Sequence, residues 1–93
     1  MNIAEQLLSD LNHWLHGVLL RGVNQLPVEE LAQLESMEQI ASSLGMDTLA
    51  ELLHQQQDQM RNYLLHAGEQ QAVMAVFFRL SAYARMAEGS FTS

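Results

Sequence analysis

Apolar residues recur at steps of three and four along nearly the whole of this 93-residue chain, and no segment reads as a period-two alternation of apolar and polar residues. A repeat near 3.6 buries one side of a helix, whereas a strand needs strict alternation. That pattern dictates an all-α fold. Little interrupts it: proline appears once and glycine five times. The punctuation predicts helices over about residues 2–24, 28–44, 48–67 and 69–88, with a tail over 89–93. Four segments joined by short connections predict one domain, residues 1–93, built as a small antiparallel four-helix bundle-like fold. Three packed helices with an atypical first segment would also fit these lengths. No internal repeat and no linker is present.

The first segment places Ile3, Leu7, Leu11, Trp14 and Val18 on one stripe, widened by Ala4, Leu8, Leu15 and Leu19. Gly17 and Gly22 weaken its second half by roughly 1 kcal/mol each relative to alanine, and can admit a close neighbour. Pro27 suits the first turn of the second helix, where Glu29 and Glu30 favour the positive dipole end. Val28, Leu31, Leu34, Met37, Ile40, Ala41 and Leu44 form its inward face. The third segment carries Leu49, Leu53, Gln56, Met60, Tyr63 and Ala67 at helical steps, and its HQQQDQ stretch reads as a solvated face. Gly68 closes it.

Between the second and third segments runs Ser42-Ser43-Leu44-Gly45-Met46-Asp47-Thr48-Leu49. Over about six residues this resembles the LGxDSL signature of acyl and peptidyl carrier proteins. That resemblance implies an acidic helical fold with a phosphopantetheine arm on the residue matching the signature serine. Here that residue is Thr48, and the helical LAQLESMEQIASSLG stands where a carrier fold has a long loop. Ala41 and Gly45 also resemble the turn of a helix-turn-helix. Its recognition helix would then be TLAELLHQQQ, with Asp47 and Glu51 and no cation before Arg61, which repels phosphate rather than binding it. The simpler reading is a corner: Gly45 takes the left-handed position after one helix and Asp47 caps the next.

Charge narrows the partners. Eleven acids face four basic residues, giving a net charge of −7, and all four cations are arginines: Arg21, Arg61, Arg79 and Arg85. Nucleic-acid and anionic-membrane binding both require clustered cations, so neither partner is expected. Without cysteine there are no disulfides and no thiolate metal sites. The amino terminus lacks the basic start and unbroken apolar run of a secretory signal, and no stretch reaches the ~18 apolar residues of a membrane span. A cytoplasmic protein is the expectation.

Chemistry is harder to find. Glu51 and His54 make an E-x-x-H, and Asp10 and His13 a D-x-x-H, the spacing of di-iron bundles. Those sites need carboxylates from the remaining helices as well, and the last segment has them only at its ends, Glu69 and Glu88. No G-x-S-x-G and no glycine-rich phosphate loop occurs. The expectation is no catalytic residue, no metal and no cofactor: not an enzyme.

The uncommon feature is the last segment, AVMAVFFRLSAYARMA. At 100° per residue, Val73, Phe77, Leu80, Ala84 and Ala87 fall within about 40° of one line. Opposite them lie Ala75, Phe78, Ala82 and Met86. A helix apolar on two sides is either a central hub or shared with a partner. The second alternative makes those four residues an interface, for a second copy across a two-fold axis or for a helix of another protein. The function expected is therefore a non-enzymatic protein–protein interaction module: an adaptor, regulatory subunit or small chaperone-like partner that self-associates through its last helix. The runner-up is a carrier-type or ligand-holding bundle using a cavity between helices, with Thr48 or the histidines. A third reading, motivated by the −7 charge, is an acidic nucleic-acid mimic.

Overall fold

Asn2 starts the first helix. Its Oδ1 accepts the backbone N–H of Glu5 at 2.7 Å, replacing one of the partners that every helix start lacks. In the computed structural model, residues 2–21, 29–64 and 70–92 are described, with the side chains of all but residues 29, 64, 70 and 88–92. They form α1 (Ile3–Arg21), α2 (Glu29–Ser43), α3 (Asp47–Leu64) and α4 (Gln70–Thr92). The readings made for Gly22, Pro27, Val28, Ala67 and Gly68 lie outside the described residues.

The corner between α2 and α3 forms because one residue can turn left-handed. Gly45 has φ 76°. The N–H of Met46 reaches back to the Ala41 carbonyl at 2.9 Å, and that of Gly45 to Ser42 at 3.1 Å. This paired closure is the Schellman arrangement. Asp47 is placed differently from expectation. Met46 takes the cap position, its carbonyl accepting from Ala50 at 2.9 Å, and Asp47 becomes the first helical residue. An acid there still interacts favourably with the helix dipole.

Each helix packs against two neighbours in the order α1, α2, α3, α4 and back to α1, and no diagonal pair approaches among the described residues. Glu38 contacts His54 and Gln57, residues similarly far from the Gly45 corner, as antiparallel neighbours require. This is an all-α four-helix bundle, with a Cα radius of gyration of 12.8 Å against about 12 Å for a compact chain of this length.

The core joins one stripe from each helix. Leu7, Leu11, Trp14 and Val18 meet Leu34, Met37 and Ala41, then Leu49, Leu53 and Met60, then Val73, Phe77, Leu80 and Ala84. Trp14 and Phe77 lie across its centre, ring centroids 6.3 Å apart and tilted by 44°, within the range where aromatic pairs attract. Val76, outside the expected stripe, is also buried.

Several expectations need correction. Ile3, Leu19 and Leu44 are exposed: Ile3 lies on the buried line but is the first residue of its helix, Leu19 flanks the seam its helix buries, and Leu44 sits on the turn. Residues 89–92 continue α4 rather than forming a tail: a glycine inside a helix costs only about 1 kcal/mol, so Gly89 does not by itself end one. HQQQDQ is not a solvated face. Gln56 and Gln57 are buried, since they follow Leu53 by three and four residues and so share its side. Gln57 donates to Glu38 Oε1 at 2.6 Å and to the Leu53 carbonyl at 3.2 Å. Its amide ties α3 to α2.

Candidate functional site

The outer face of α4 follows from its core face. Once Val73, Phe77, Leu80 and Ala84 point inward, residues about 180° round the helix must point out. Ala75, Phe78, Ala82 and Met86 are all exposed, Phe78 at 61% and Met86 at 65%. Phe78 touches its neighbour Phe77 edge-on, with centroids 6.0 Å apart, and otherwise extends outward. α4 is thus flanked by α1 and α3 on one side only, and its second apolar stripe lies on the molecular surface.

Two guanidiniums border that stripe. Arg79 and Arg85 are both exposed, and helical stepping puts them about 60° to either side of Ala82. Arg79 lies toward α3, where Nη1 donates to Gln55 Oε1 at 3.4 Å. Between Gln71 and Ala87 the helix has no acid. This is a local basic and apolar strip on a chain of net charge −7.

A second feature lies between α1 and α2, the least extensively packed neighbours. A pocket of about 580 Å³ is lined there by Asp10, His13, Trp14, Arg21, Glu30 and Met37, among others. Gly17 shapes it, though not by admitting another helix. A Cβ on Gly17 would stand 3.0 Å from Arg21 Nη2. The missing side chain therefore lets Arg21 fold back along its own helix, its Nε donating to the Gly17 carbonyl at 3.2 Å. From there Arg21 Nη2 donates to Glu30 Oε1 and bridges α1 to α2. Glu30, expected only to face a helix dipole, is instead buried. The signal was present: it lies four residues before Leu34, on the same stripe.

The other sequence candidates stay apart. Thr48 is exposed on the first turn of α3 and does not line the pocket. Glu51 and His54 are exposed. His54 lies 3.5 Å from Glu38 and 3.4 Å from Asp58, a polar cluster on the α2/α3 surface rather than an inward site. His13 lines the pocket while His16 turns to the Asn12 carbonyl at 2.9 Å. Among the described residues, no three histidine or carboxylate side chains converge as metal ligands, and no helix is long and apolar enough to cross a membrane.

Fold and surface together define a class: a four-helix bundle with one helix apolar on both sides. Beyond that class the comparisons add nothing, since no protein-family model, no curated protein and no solved structure matches this chain.

Proposed function

We propose that this protein is a non-enzymatic interaction module, of the adaptor, regulatory-subunit or small chaperone-like kind. It docks a partner on the outward stripe of α4. The observation that carries this reading is Phe78, 61% exposed on a helix whose opposite side is sealed in the core. Aromatic and methionine side chains are enriched at interfaces, and fully burying one contributes on the order of 1.5–3 kcal/mol. Ala75 and Ala82 between them let a second backbone come close.

Charge selects the occupant. Self-association through this stripe would gather Arg79 and Arg85 from both copies around one seam, and like charges there oppose pairing. An acidic amphipathic helix of another protein meets the same strip with apolar residues in the centre and carboxylates on both flanks. That helix is the partner we assign, in a cytoplasmic setting.

The test uses two short labelled peptides, one with glutamates flanking a leucine stripe and one with lysines instead. The glutamate peptide is expected to bind, to weaken as salt rises and to lose affinity with Phe78→Glu while helicity is kept. Equal binding of the lysine peptide refutes the assignment. So does a dimer mass in light scattering that Phe78→Glu abolishes, which would give the stripe to a second copy. A Phe78→Glu monomer that unfolds would instead make α4 a hub and remove the docking face.

A further inference from the structure

Two leucines stand side by side on the surface near the end of α1, Leu19 at 62% and Leu20 at 88% exposure, and they leave the helix in different directions. The α1 residues Asp10, His13, Gly17 and Arg21, which line the pocket against α2, fall on one flank of the core stripe. On the other flank lie Leu8 and Leu15, both buried, and then Leu19, four residues beyond Leu15 and so about 40° further round. Among the described residues α1 has only α2 and α4 for neighbours, so that flank faces α4. Leu20 is about 100° further round again and points away from both neighbours.

α4 can be oriented in the same way. Arg79 reaches Gln55 of α3, so Phe78, about 100° before it and on the other side of the outer stripe, lies toward α1. Successive helices reverse direction at the Arg21–Glu30 contact, at the Gly45 corner and at the Gln55–Arg79 contact, which makes α1 and α4 antiparallel. Their common level is set by Trp14 and Phe77, whose rings meet across the core. Leu19 comes five residues after Trp14 and Phe78 one after Phe77. At 1.5 Å per residue the two stand about 9 Å apart along the bundle, with Ala75 about midway between them.

We propose that the acidic helix assigned to α4 seats off-centre, in the groove between α4 and α1, with Leu19 as its second anchor. This register rests on the α4 docking assignment and specifies its partner further: apolar residues at i, i+3 or i+4, and i+7 meet Leu19, Ala75 and Phe78 in turn. The groove on the other side of α4 has a polar wall. There α3 presents Gln55 with Thr48 and Gln59, seven residues before it and four after, and covering such groups costs free energy unless each finds a new partner. On the α4-facing flank of α1 the acid is Glu5, at the end away from Leu19, so carboxylates of the partner meet no like charge beside that anchor.

The experiment uses the full chain and a labelled helical peptide with leucines at this spacing and glutamates on its flanks. About fifteen residues suffice to run from Leu19 to Met86. Leu19→Ser should weaken binding at least about fivefold, as expected when most of a leucine side chain loses its cover. Leu20→Ser, the same change at a more exposed position, should leave affinity within about twofold. Circular dichroism should show both variants as helical as the unaltered protein. In the unaltered protein the peptide should shift the backbone amide resonances of His16 and Leu19 along with those of α4, and leave those of Thr48 and Gln59 in place. Binding that needs Phe78 but responds equally to the two leucine variants overturns the groove and leaves the α4 docking face standing. Shifts on α3 in place of α1 do the same. A peptide that does not bind the unaltered protein at all removes the docking face, and the groove with it.

Discussion

Phe77 and Phe78 are chemically identical neighbours with opposite surroundings, and replacing each in turn measures whether α4 is two-faced. Phe77 is 1% exposed, against Trp14 at the core centre. Cutting a buried phenylalanine to alanine costs about 3–5 kcal/mol, because the cavity left behind does not collapse. Phe78 has only about two-fifths of its surface covered. At about 2–3 kcal/mol for full burial, Phe78→Ser costs about 1 kcal/mol, its edge contact with Phe77 included. A domain of this length has about 5–14 kcal/mol in all. Phe77→Ala therefore removes a large fraction of stability and Phe78→Ser a small one. Urea titrations followed by far-ultraviolet circular dichroism and by Trp14 fluorescence read both. With a denaturant slope near 1–2 kcal/mol/M, the midpoint should fall by about 1.5–5 M for Phe77→Ala and by about 0.5–1 M for Phe78→Ser. Equal falls would refute the reasoning, since Phe78 would then be as enclosed as Phe77 and no outer face would exist.

Other expectations follow from particular contacts. Gly45→Ala should lower stability by about 1 kcal/mol, seen as a melting temperature about 4–8 °C lower: the cost is the left-handed backbone alone, because nothing lies within 4 Å of the added carbon. Gln56 is 1% exposed with its Oε1 unpartnered, so Gln56→Met, similar in shape and without the orphaned oxygen, should raise the urea midpoint by the equivalent of about 1 kcal/mol. Arg61 and Asp58, 3.4 Å apart and both about half exposed, should contribute little, and Arg61→Ala should change the unfolding free energy by less than about 0.5 kcal/mol.

Most of the fold is legible in the spacing of the sequence. The stripes through Leu7–Val18, Leu34–Ala41, Leu49–Met60 and Val73–Ala84 are the observed core, because a 3.6-residue repeat leaves one helix face apolar and water drives that face inward. Gly45 is legible for a local reason too, since a left-handed corner penalises any side chain. Gln56 falls on the stripe its spacing predicts, whereas chemical type alone is misleading for Glu30 and Gln57. Each lies on an apolar stripe, and position on the helix prevailed over polarity because a partner or a neighbouring wall was available.

What the sequence alone determines, then, is the all-α class, the apolar face of each helical segment and the presence of a second apolar side on the last one. Tertiary structure decided the rest. Whether Phe78 meets α1, α3 or water depends on where those helices lie around α4, and no local repeat encodes that arrangement. The pairing of Arg21 with Glu30 and the pocket beside it likewise arise only when α1 and α2 pack together. Periodicity fixes which side of a rod is greasy, but contact between rods is a property of their packing, set by the shapes of all four at once.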